Sequence, residues 1–243
     1  MKTIYQILVL FLFLLCCTTP IVGQPSDSVW DYPVKPGTEQ WRALHTSQEM
    51  RDVCQIPEDV LENLPTDQLA EICLRYPLRG DYVFFDNERE GIKIVISRLN
   101  GLIELSRRKD GTRALVNIYQ NYPVLNYLPE KGTVNYPIPY EIMLLELLIA
   151  DDLFINQLSS EELLNLLTIV KNKYSDKVNN NTVYSVSNIK KTMLLAAVIM
   201  NKTSLPLSTT DKDTLTQFIA TYRRASAELI TETSKIISNH ENN

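Results

Sequence analysis

Leu69, Ile72, Cys73 and Tyr76 recur at intervals of three, four and seven residues, a spacing that places all four on one stripe of an α-helix. An apolar stripe left in water forfeits about 25 cal/mol per Å² of surface, so a chain that repeats such stripes must pack helix against helix. From residue 46 onward the pattern continues. Thr46 and Glu49 have capping-box spacing, as do Ser159 and Glu162, where Leu158 can also staple onto Leu163. Pro57 suits a first helical position ahead of Val60, Leu61 and Leu64, and Pro77 ends the helix that carries Tyr76. Further helices are expected at about 102–108, 112–121, 139–150, 159–174, 187–201 and 210–238. The predicted fold is all-α, one domain over residues 46–238 with about eight to ten helices.

One stretch is ambiguous. Over residues 91–97, Ile92, Ile94 and Ile96 alternate as in a strand, while Ile92, Val95, Ile96 and Leu99 repeat as in a helix. Helix is the better reading, because the polar run 86–90 starts a helix well and no partner strand is evident. The Asn- and Lys-rich residues 171–181 read as a solvated, mobile loop, and 239–243 as a disordered tail.

The N-terminus has a different character. Lys2 precedes an apolar core over residues 4–17, and the following segment ends on a small residue, Gly23, before Gln24. This is the pattern of a cleavable signal peptide over 1–23, with cleavage between Gly23 and Gln24. A core of that length falls short of the about 20 residues that span a bilayer, so no transmembrane helix is expected after cleavage. Lipidation at Cys16 or Cys17 is the minor alternative, disfavoured by the bulky residue before either. Residues 24–45 hold Pro25, Pro33, Pro36 and Gly37 with Trp30 and Trp41, which suits an extended arm pinned by its tryptophans. The expected address is exported, either periplasmic or secreted.

A longer period is also visible. Residues 72–78 (ICLRYPL) resemble residues 118–124 (IYQNYPV), and Tyr76, Tyr122, Tyr174 and Tyr222 follow at comparable intervals. Stacked helical hairpins of the HEAT or armadillo kind would produce it, and so would coincidence among 12 tyrosines.

Charge narrows the partners. The chain has 24 basic and 29 acidic side chains, a net of −5, and losing Lys2 with the signal peptide makes it −6. Its densest basic cluster, Arg107-Arg108-Lys109, is flanked by Glu104 and Asp110, so nucleic acid is not expected as a partner. Cys54 and Cys73 remain after cleavage, in a compartment where disulfides persist. The favoured reading joins them in a disulfide worth about 3 kcal/mol, against two buried thiols as the alternative.

Little in the sequence points to catalysis. Histidine occurs at His45, before a helix, and at His240, in the tail, so a histidine base would rest on His45. Cys-x-x-Cys, paired helical histidines, calcium loops and phosphate-binding glycine loops are absent, so no metal, cofactor or catalytic residue is assigned. Asp151-Asp152 and Glu161-Glu162 sit where acids complement a helix start. Arg79-Gly80-Asp81 matches an adhesion tripeptide and reads equally as a turn after Pro77. Asn180 and Asn201 head glycosylation sequons, which matter in a eukaryotic source.

Residues 32–41 (YPVKPGTEQW), 54–58 (CQIPE) and 73–78 (CLRYPL) together resemble a group of uncharacterised bacterial exported proteins, over about residues 32–111. The resemblance implies a bacterial source and a helical domain, and no activity or ligand. With chemistry missing, the leading functional reading is an interaction or scaffold module for a protein, peptide or envelope component. Its surface would lie on residues 139–174, although the apolar run 143–148 reads more readily as the buried centre of the bundle. The competing class is a carboxylate-dependent hydrolase or lyase with a cleft between helices.

Overall fold

The apolar stripes become helices in the computed structural model, which describes residues 30–124 and 140–239. In chain order these are α1 (Glu39–Arg42), α2 (Ser47–Asp52), α3 (Glu58–Asn63), α4 (Thr66–Leu74), α5 (Glu88–Arg98), α6 (Asn100–Arg107) and α7 (Gly111–Asn121). There follow α8 (Tyr140–Ile149), α9 (Asp152–Ile155), α10 (Ser160–Asn179), α11 (Val186–Lys202), α12 (Thr209–Thr221) and α13 (Ala227–Asn239). Short 3-10 turns occupy Asp81–Phe84 and Tyr222–Arg224, and no strand occurs among the described residues. The predicted all-α class is what forms. The count exceeds ten because α1 and α9, with four residues each, are too short for an apolar stripe to announce them, and because the helix expected over 210–238 forms as two, α12 and α13.

Both expected capping boxes are present, at Thr46 with Glu49 and at Ser159 with Glu162, and Ser208 with Asp211 makes a third. The ambiguous residues 91–97 lie inside α5, whose cap is Asn87, accepting from the Arg89 amide.

Two helices form the centre. Every residue of α8 from Ile142 to Ile149 is buried, and α11 is buried from Lys191 to Met200. A helix that is apolar all round belongs in a core. Here α8 packs on α7 and α11, with α10 and α12 along the other sides of α11. The reading of the apolar run 143–148 as the buried centre of the bundle is what forms, so α8 is not the interaction surface.

Side chains tie distant helices together through backbone groups left over at helix ends. Asn100 clamps Ile56, its amide donating to the Ile56 carbonyl at 2.7 Å and its carbonyl accepting from the Ile56 N–H at 3.0 Å. Arg108 donates to the carbonyls of Leu61 (3.0 Å) and Leu64 (2.6 Å) at the end of α3. Thr112 donates to the Phe154 carbonyl at 2.9 Å.

Four expectations change. Residues 171–181 are largely helix, because α10 runs on to Asn179 with Lys173, Tyr174 and Lys177 turned inward and Asn172 and Asn179 outward. The helix expected over 210–238 is broken at Tyr222, whose hydroxyl bonds Glu88 at 2.5 Å, while Arg223 donates to the Phe85 carbonyl and Ser226 caps the next helix. Within the arm, residues 39–42 are helical, capped by Thr38. Its anchor is Tyr32, 2% exposed, whose hydroxyl donates to the Ile72 carbonyl at 3.1 Å beside the Tyr76 ring; Trp41 is only half-buried. Finally, Cys54 and Cys73 are free, buried thiols, and no disulfide joins them. Each instead fills core volume as a small hydrophobe, Cys73 on the fully buried stripe of α4. The signal-peptide residues, including Gly23 and Gln24, and the tail from His240 lie outside the described residues.

Candidate functional site

A surface groove is built from the chain that follows Pro77. Because proline cannot continue α4, the backbone turns through hydrogen bonds from Arg79 N–H to the Tyr76 carbonyl (3.0 Å) and from Asp81 N–H to the Leu78 carbonyl (3.0 Å). It then winds into the 3-10 turn Asp81–Phe84. Gly91 of α5 lies against the back of this turn, where a Cβ would meet the Tyr82 carbonyl oxygen at 2.5 Å. Tyr82 points inward at 2% exposure, which forces Val83 and Phe84 outward at 41% and 85%.

Phe84 consequently stands between two hollows. The larger, about 620 Å³, is lined by Leu144 and Tyr140 of α8 together with Pro36, Pro77 and Val83. Arg75, Arg79 and Lys35 also line it. The smaller hollow, about 290 Å³, lies across Phe84 and is lined by Met50, Phe85, Arg51 and Arg98 among others. Asp81 borders both and, among the described residues, is the one acid lining either. Burial raises its carboxyl above the ordinary carboxylate range, opposed by the charges of Arg98 and Arg51.

The cations here are partly engaged by neutral groups: Arg51, for one, donates to the Gln48 side-chain carbonyl at 2.9 Å. Lys35 pairs with Asp31, but none of Arg51, Arg75, Arg79 and Arg98 forms an ion pair among the described residues. Arg79 is held by the carbonyls of Tyr76 (3.2 Å) and Arg75 (3.5 Å), neutral partners that fix the guanidinium and leave its charge in place. A concave apolar surface edged with more arginine than acid is suited to binding an anionic, partly apolar group.

Two further clusters lie inside the bundle. Glu146, fully buried on α8, accepts at Oε1 from Lys177 (2.8 Å), Thr192 (2.7 Å) and Tyr119 (3.1 Å), while Oε2 has no partner. Lys177 also donates to Thr192 at 2.9 Å and lies over the Tyr184 ring; burial lowers its ammonium pKa, with Glu146 opposing. One turn earlier, Lys173 donates to the Tyr122 carbonyl at 2.7 Å. The second cluster joins Glu88 to Lys191 (3.1 Å) and to the Tyr222 hydroxyl (2.5 Å). Neither carboxylate lines the groove, and each is consumed by cations and hydroxyls that tie helices together.

The residues singled out by sequence do not converge. His45 is exposed and its N–H donates to Glu49. Asp151 caps α9 by accepting from the Leu153 N–H, Asp152 pairs with Lys202, and Glu162 completes its box while bonding Arg113, which with the Ser159 cap holds the Glu162 carboxyl down to about 2. These carboxylates start helices and bridge them. Arg79-Gly80-Asp81 is folded into the groove and not presented on a free loop. Asn180 caps the end of α10 through the Asp176 carbonyl, and Asn201 donates to Thr216. Among the described residues no cluster of three His, Cys, Asp or Glu could hold a metal, and no helix is long and apolar enough to cross a membrane.

Sequence reasoning missed both buried clusters and the groove. Glu146 could have been suspected, since it interrupts an otherwise apolar run over 142–149, and so could Lys173 and Lys177, four apart on one helix face. The exposure of Phe84 had no signal, because it follows from Tyr82 turning inward. Comparison with protein-family models, with curated proteins and with solved structures finds no match to this chain.

Proposed function

We propose that the protein is an exported helical binding module, and that the groove beside Phe84 is where a protein, peptide or envelope component docks. One observation carries this reading: a single surface joins the most exposed large apolar side chain described, Phe84 at 85%, to a hollow of about 620 Å³ and to arginines without ion-pair partners. Exposed aromatic and arginine side chains beside a pocket are the residue types that dominate binding energy at interfaces. The enzymatic alternative finds less support, because the acid pairs that prompted it cap helices.

Stacked hairpins belong to the same reading. Contacts between helices recur at similar sequence separations: 44 residues for Ile56 with Asn100, 42 for Thr112 with Phe154, 46 for Glu146 with Thr192, and 46 for Asn156 with Lys202. Such recurrence is what units of one size stacked in a row produce. Export through a signal peptide ending at Gly23, and kinship with bacterial exported proteins, complete the proposal; N-terminal sequencing of the exported protein should begin at Gln24.

The docking site is tested by photo-crosslinking in the native setting. A photoreactive phenylalanine analogue at position 84 should capture a partner, and the same analogue at Leu164, an exposed position on α10, should not. Equal capture at both positions, or none at 84, would count against the reading.

A further inference from the structure

We propose that the groove recognises an acidic peptide segment carrying an apolar anchor: carboxylates on Arg75 and Arg79, and the apolar side chain between Tyr140, Leu144 and Phe84. This rests on the groove being the docking site and names the chemistry of its occupant.

Charge complementarity is the first argument. Among the described residues, Arg51, Arg75, Arg79 and Arg98 line the two hollows without an ion pair and Asp81 is the one acid lining them, its carboxyl under the charges of Arg98 and Arg51 as that of Asp31 is under Arg75. Yet the whole chain carries a net charge of −5, so this surface is a local cationic exception. Four arginines and Lys35 against Asp81 and Asp31 leave a positive excess, which an anionic partner offsets. Guanidinium groups also pair with carboxylates through two parallel hydrogen bonds, which adds direction to the attraction. Because Arg79 is already held by two backbone carbonyls, less side-chain freedom is lost when it binds.

Shape supplies the second argument. Leu144, 1% exposed, closes the floor of the larger hollow, and Tyr140, at 47%, forms a wall. A volume of about 620 Å³ lies within the range that holds a few side chains of a bound segment. A planar bilayer cannot reach the floor of such a hollow, and a polyanion without apolar groups leaves it unfilled. An extended segment with one or two apolar side chains among Asp and Glu satisfies both features.

The test is selection of peptides from a random phage-displayed library on the purified protein. Affinities of the winners follow by fluorescence anisotropy on wild type, Arg75→Glu/Arg79→Glu, and Phe84→Ala/Tyr140→Ala. All four substitutions are at exposed or half-buried side chains, and circular dichroism checks that each variant folds. The proposal expects acidic winners with an apolar residue, weakened by added salt and bound at least about tenfold more weakly by the charge-reversed variant. Winners that depend on Phe84 and Tyr140 but are neutral or basic would overturn the acidic partner and leave the groove as the docking site. Should no winner depend on any of these residues, both inferences fail. Binding to phosphatidylglycerol vesicles with no selected peptide would overturn the peptide in favour of a membrane.

Discussion

Lys177 and Glu146 form an ion pair at 2.8 Å with neither side chain exposed, joining α10 to the central helix α8. Removing two charges from water costs several kcal/mol each, and their attraction repays it only when further hydrogen bonds complete the geometry. Tyr119 and Thr192 supply those bonds to Glu146 Oε1. The pair therefore fixes which faces of α7, α8, α10 and α11 meet, and either charge alone is costly. Lys177→Met should lose about 3–5 kcal/mol by urea unfolding, and Glu146→Leu/Lys177→Met should fall short of the summed single losses by about 1–3 kcal/mol. Additive losses would remove the structural role assigned to the pair.

The Phe84 turn has a front and a back with opposite sensitivities. Phe84→Ser changes a side chain that water already covers, so thermal unfolding should shift by no more than about 0.5 kcal/mol. Gly91→Ala places a methyl 2.5 Å from the Tyr82 carbonyl oxygen, and the backbone must move, at about 1–3 kcal/mol. Equal effects would mean that the turn is not packed as described.

Cys54 and Cys73 are buried thiols. Burial, with the Asp81 charge adding to it, pushes the Cys54 thiol up to about 11, and burial raises Cys73 further. Since the thiolate is the reactive form, neither should be alkylated at neutral pH until denaturant is added, after which both should be. Peptide mass spectrometry reads each site. A linked Cys54–Cys73 peptide in the native, non-reduced protein would restore the disulfide that the sequence suggested.

High pH should unfold the protein through its tyrosines. Burial holds the phenols of Tyr32, Tyr76, Tyr82, Tyr119 and Tyr222 above their ordinary value of 10.0. In the unfolded chain these groups release protons near 10, while the folded chain retains them. The phenols' contribution to folding stability is then fully present below pH 10 and is lost as pH rises beyond it, in the same sense as the smaller loss that begins near pH 9 from the raised Cys54 and Cys73 thiols. Lys173, Lys177 and Lys190 act in the opposite sense, since burial lowers their values and lets the folded chain release a proton first, but they are three groups against five phenols. Tyrosinate absorbance of these rings should appear together with the loss of helical dichroism. Their titration near pH 10 with the fold intact would contradict the burial.

The sequence made the helices legible wherever a stripe had a polar face beside it, as at Leu69, Ile72, Cys73 and Tyr76, and wherever a cap marked the start, as at Ser159. It misled where composition stood in for direction. Asn and Lys around Lys173 and Lys177 look solvated, yet both lysines turn inward because Tyr122 and Glu146 offer them oxygen. The break at Tyr222 was hidden for a related reason: its cause is Glu88, 134 residues away in the chain. The groove was illegible because it depends on three separate segments meeting around a turn, although Pro77 and the Arg79-Gly80-Asp81 tripeptide marked where that turn begins.

Hydrogen–deuterium exchange of the native protein tests most directly whether the apolar run on α8 is the closed centre and the Phe84 turn the open face. Peptides covering 142–149 and 193–200 should exchange slowest, near the rate of global unfolding, with 81–84 among the fastest. Exchange of 142–149 as fast as 81–84 would contradict the account, returning α8 to the surface and taking the groove wall at Tyr140 and Leu144 with it.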